Sequence, residues 1–190
     1  MNSKEEIFNK AKKLHVSGNI NDAKKLYLEL IKIDGDNFLF QNLLGTTLLQ
    51  LKKYDEAIKH FDISIKLNPN FAASFGNKGI AHAEKGQYQE AINNYDKAIN
   101  LKEKNFDAYL NKGIALKNIY KYNDALKHYD FCIKVNPRNP RIYINLGNLF
   151  LKQKNFKEAL KFYDRAISLR DEFADFSQCS YSRLWNCSIG

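Results

Sequence analysis

Small, aromatic and aliphatic positions return along the chain in steps of four. Ala23, Tyr27 and Ile31 form one triplet, and it recurs as Ala57, Phe61, Ile65; Ala91, Tyr95, Ile99; Ala125, Tyr129, Ile133; and Ala159, Tyr163, Ile167. At ~100° per residue, four-residue steps hold all three side chains on one stripe, which predicts an amphipathic helix packed on a neighbour. A larger residue stands three places before each alanine: Ile20, Tyr54, Tyr88, Tyr122 and Phe156. An acid sits directly before each one (Asp22, Glu56, Glu90, Asp124, Glu158), where the positive end of a helix dipole favours it. Asn68-Pro69 and Asn136-Pro137 mark two helix ends, because proline cannot continue a helix and restricts the residue before it.

A second helix precedes each of these. It carries Ile7, Phe75, Tyr109 or Tyr143, then a small residue four places on (Ala11, Gly45, Gly79, Gly113, Gly147), then a larger one (Leu14, Leu48, His82, Leu116, Phe150). Glycine inside a helix costs about 1 kcal/mol against alanine, so its recurrence predicts that two backbones approach closely there. The period is 34 residues without insertion or deletion, giving units 4–37, 38–71, 72–105, 106–139 and 140–173.

A 34-residue period carrying the aromatic, Gly, Ala, ring and Pro columns resembles the tetratricopeptide repeat. The resemblance spans residues 4–173; Gln41 replaces an aromatic, Ala11 a glycine, and Glu103 and Asp171 the terminal proline. It implies an all-α, right-handed superhelical solenoid of five helix-turn-helix repeats, with the first helices forming a concave wall that binds partners. Residues 174–190 break the register and make a poor cap. They place Tyr181 where the repeat has glycine, and an uncapped end opens a route to self-association.

The residue two places after the first aromatic lies roughly 200° around the helix, away from the core. In four units it is asparagine (Asn9, Asn77, Asn111, Asn145), with Leu43 the exception. An amide can bond both the C=O and the N–H of an extended peptide whatever its side chains. The column is similar to the asparagine ladder in the repeat region of O-linked N-acetylglucosamine transferases. The Lys and Arg positions of the family's two-carboxylate clamp are not matched, because their columns read Phe8, Asn42, Gly76, Leu110, Ile144 and the asparagines themselves. Arg141, Asn145 and Asn148 add a polar, cationic strip in the fifth unit. The expectation is a scaffold that binds an extended segment of a partner protein; the alternatives are the substrate-recognition arm of a glycosyltransferase-type enzyme and, more distantly, an RNA-binding helical repeat.

Composition narrows this picture. The net charge is +9, but 25 Lys against 5 Arg are spread along the whole length, a solvated coat more than a nucleic-acid face. No apolar run approaches the ~18 residues of a membrane span, Met1 to Val16 lacks the apolar core of a secretory signal, and three cysteines form no disulfide framework. These point to the cytoplasm and to a partner that is neither membrane nor nucleic acid. His60 and His128 share a column two units apart, too far to hold one metal; His82 and Cys132 stand in packing columns. With no phosphate loop, paired-Cys motif or Ser/His/Asp set, the expectation is no cofactor, no metal and no catalysis.

Overall fold

The computed structural model describes residues 3–170, and every regular element among them is a helix. These are α1 (Ser3–Val16), α2 (Ile20–Ile33), α3 (Phe38–Gln50), α4 (Tyr54–Leu67), α5 (Ala72–Glu84), α6 (Tyr88–Leu101), α7 (Phe106–Asn118), α8 (Tyr122–Val135), α9 (Pro140–Lys152) and α10 (156–170). From α2 and α3 onward, each even-numbered and each odd-numbered helix begins 34 residues after the last of its kind. The observed fold class is the expected all-α array of helix-turn-helix repeats. The proposed cap, 174–190, lies outside the described residues.

Local chemistry sets the ends. Asn37, Asn105 and Asn139 cap α3, α7 and α9, their side-chain oxygens accepting backbone N–H groups of the first turn. The even-numbered helices α2, α4, α6 and α8 have no side-chain cap; each carries acids in its first turn instead. Between the paired helices the chain turns through a left-handed residue in all five repeats: Gly18, Lys52, Gly86, Tyr120 and Lys154. Around residues 18, 52, 86 and 154, a backbone N–H reaches five residues back, as in Asn19 to Leu14 and Lys53 to Leu48, each 2.9 Å. That is the Schellman closure, and it fixes the angle of each hairpin.

The helical glycines serve a different purpose from the one predicted. A Cβ on Gly45 would lie 2.6 Å from Cε1 of Phe61, one on Gly79 would lie 2.6 Å from Tyr95, and one on Gly147 would lie 2.5 Å from Tyr163. What occupies the space is an aromatic ring from the second helix of the same hairpin, not another backbone. Close backbone approach is therefore corrected to ring seating.

The helices fall into two compact units, Met1–Ile119 and Tyr120–Gly190. In the first, α1 to α7, consecutive helices pack on one another, and α5 also touches both α3 and α7. No pair of even-numbered helices packs as closely among the described residues, so the odd-numbered helices line the tighter, inner side of this unit. Its core holds Ala11, Ala23, Tyr27, Leu30, Phe40, Leu44, Leu48, Ala57 and Phe61. Each fully buried large side chain contributes about 1.5–3 kcal/mol relative to exposure. In the second unit α8 packs on α9 through Tyr129, Cys132, Ile142 and Leu149, all fully buried, and α10 seats Tyr163 on Gly147.

Candidate functional site

Every asparagine of the outward column is half-buried, the exposure expected of residues on a groove wall. Asn9 lies on α1 beside Glu6, Lys10, Lys12 and Lys13, an open and highly charged surface. Asn77 on α5 and Asn111 on α7 come together. They line one groove of about 230 Å³ between these helices, with Gly76, Ile80, Ala108 and Tyr95 also contributing to its walls.

Gly76 explains why the groove exists. The positions before and after it in its column hold Asn42 and Leu110, whereas a Cβ built on Gly76 would meet nothing within 4 Å. The small residues leave a hollow, and polar groups surround it.

Asn77 is oriented by its neighbours. Its Nδ2 donates to Oδ1 of Asn42, 3.1 Å away, and to Oγ1 of Thr46, 3.3 Å away. The Thr46 hydroxyl gives its own proton to the carbonyl of Asn42 at 2.9 Å, so it faces Asn77 as an acceptor and selects the amide nitrogen. Asn42 is buried and also meets Ser74, which lies 2.7 Å from Ser64, which in turn reaches the carbonyl of Phe38. This chain of polar groups joins α3, α4 and α5. Asn77 therefore turns its carbonyl oxygen, and not its N–H₂, toward solvent.

In the second unit Arg141, Asn145 and Asn148 stand at i, i+4 and i+7 of α9, on one face. Asn145 donates Nδ2 to the carbonyl of Arg141 at 2.8 Å, and Asn148 accepts from the hydroxyl of Tyr163 at 2.7 Å. Each amide keeps part of its capacity free, and each is tied to its own hairpin.

Tyr95 and Gly76 were not apparent as site residues from the sequence. Tyr95 reads as one more packing ring, and its ring does pack on Gly79, but the side chain also lines the groove. Burial raises its hydroxyl well above the usual tyrosine range, with the Glu84 charge adding to the effect, so it stays protonated. The signal for Gly76 was the column itself, where one glycine interrupts Phe8, Asn42, Leu110 and Ile144. His82, read as a core histidine, is half-buried with Nδ1 2.8 Å from Oε1 of Gln87. Among the described residues no group of three or more His, Cys, Asp or Glu side chains is placed to hold a metal, and no helix is long and apolar enough to cross a membrane.

Two layers of paired helices with an open inner face define a helical repeat protein of the solenoid class, whose concave surfaces serve as scaffolds for other proteins. The sequence assigns the family: models described as "TPR repeat" match residues 79–119 and 121–154, and models described as "Tetratricopeptide repeat" match 40–71 and 140–173. The chain belongs to the tetratricopeptide repeat family. Among solved structures, MamA is 23% identical with a TM-score of 0.74, over 87% of this chain and 96% of that one. TTC0263, a thermophilic TPR protein of Thermus thermophilus, is 16% identical with a TM-score of 0.77, over 96% and 99%. YrrB, described as a TPR protein with an unusual peptide-binding site, is 20% identical with a TM-score of 0.67, over 87% and 85%. At these identities the likeness is one of fold. No curated protein sequence matches the chain.

Proposed function

We propose that the chain is a protein-interaction scaffold that holds an extended segment of a partner protein against its odd-numbered helices, with Asn77 and Asn111 as the central contacts. The observation that carries this is the convergence of those two amides on one groove between α5 and α7, in a repeat whose other rings and aliphatics are packed inward. Asn9 on α1 adds a contact in the same unit. Arg141, Asn145 and Asn148 offer a separate polar strip in the second unit. The peptide-binding site named for YrrB, which shares the fold, agrees with this reading.

The test uses a random library of 12-residue peptides selected on the full chain, followed by fluorescence anisotropy of an enriched peptide. Replacing Asn77 and Asn111 together by Ala weakens binding tenfold or more, since each lost amide bond is worth about 1 kcal/mol. Unchanged affinity in a double variant that keeps its helical circular dichroism refutes the assignment.

A further inference from the structure

Tyr95 holds a hydroxyl that its own hairpin does not use. The ring alone suffices for packing at this column, because Phe61 occupies it one repeat earlier and seats on Gly45 in the same way. Where a hydroxyl is present, the hairpin can bond it: Tyr27 lies 3.4 Å from Nδ1 of His15, and Tyr163 donates to Asn148 at 2.7 Å. The residue of α5 that corresponds to Asn148 is Ile80, which offers no acceptor. No described residue bonds the Tyr95 hydroxyl. Yet the side chain is only 1% exposed and lines the groove beneath Gly76 and Asn77.

A nearly buried, unsatisfied hydroxyl costs about 1–3 kcal/mol when water is displaced from it without replacement. An apolar side chain entering the groove incurs that penalty. A charged one is desolvated against a neutral floor. Only an uncharged hydrogen-bonding group avoids both. The wall above is already polarised, since Asn77 presents an acceptor and Asn111 a whole amide.

Resting on the groove reading above, we propose that the hollow between α5 and α7 selects one residue of the bound segment. That residue carries an uncharged hydrogen-bonding side chain (Ser, Thr, Asn or Gln) that bonds the Tyr95 hydroxyl, while a main-chain N–H of the segment is donated to Oδ1 of Asn77. Gly76 is the gate, because any side chain there fills the hollow.

The experiment is a double-mutant cycle on a peptide enriched from the 12-residue library by the wild-type chain. One axis is Tyr95→Phe, which keeps the ring that Phe61 shows to be sufficient. The other replaces each Ser, Thr, Asn or Gln of the peptide by Ala in turn. At one peptide position the two changes are coupled: Tyr95→Phe weakens the parent peptide roughly fivefold and leaves the Ala peptide unaffected, as expected for one hydrogen bond. Additivity at every position overturns the proposal and leaves the groove reading intact. Gly76→Leu, a residue the same column already holds at Leu110, separates the two. It abolishes binding if the groove is the site; unchanged binding in this variant, or a library from which the wild-type chain enriches nothing, overturns both.

Discussion

The junction between α4 and α5 and the junction between α8 and α9 are the same step of the repeat, filled in opposite ways. At the first, Ser64 and Ser74 meet at 2.7 Å and extend through Asn42 to Asn77. At the second the matching positions are Cys132 and Ile142, both fully buried. Identical backbone geometry thus accepts either a hydrogen-bonded polar seam or an apolar one. The polar seam adds little net stability, because such bonds replace bonds to water, but it fixes side-chain orientation, as the amide of Asn77 shows. The apolar seam stabilises through burial and orients nothing. The candidate site lies beside the polar seam.

The comparison breaks most sharply if the apolar seam is made polar on one side only. Ile142→Ser removes a fully buried side chain and leaves a hydroxyl facing a cysteine, so urea unfolding should show a loss of about 3–5 kcal/mol. A loss under about 1 kcal/mol would mean that the two junctions are interchangeable. Next in size is a change at a feature both regions share. Gly79→Ala and Gly147→Ala each push a Cβ into a seated ring and should destabilise by about 1–3 kcal/mol, to a similar extent, in the same measurement. Unequal losses would show that the hairpins differ beneath their polar surfaces.

The smallest effect is on pH dependence. Burial holds His60, whose Nδ1 lies 2.8 Å from Oε1 of Gln41, below the usual histidine range, with Glu56 opposing the shift. The folded state therefore resists a proton that the unfolded chain accepts. Stability is fully present above pH 6.5, the ordinary value, and is lost as pH falls below it. His15 is lowered by burial as well and acts in the same direction. Thermal melts at pH 7.5 and 5.5 should show a fall in Tm that His60→Gln reduces; an undiminished fall would place the proton uptake elsewhere.

Much of this was legible in the sequence. The Ala, ring and Ile columns specified ten helices and their hairpin pairing, because period and spacing depend on the chain alone. The asparagine column was likewise legible, since a helical wheel separates outward from inward positions. The sequence could not show which atom of each amide faces out, because that follows from Asn42 and Thr46 on a neighbouring helix. The glycine column was legible as a need for space but not as to what fills it, because an approaching backbone and a ring demand the same small residue. Tyr95 was hidden by its company: four rings in one column read as packing, and only the identity of Ile80 on the facing helix separates it from Tyr163.

The ring-on-glycine contact also bears on how the chain acquires its structure. Its partners are 45 and 61, 79 and 95, and 147 and 163, each pair 16 residues apart. Contacts that close so locally form fast, because little chain entropy is lost before they are made. Each hairpin can therefore register its two helices while still emerging during synthesis, and the array grows by adding pieces that are already shaped.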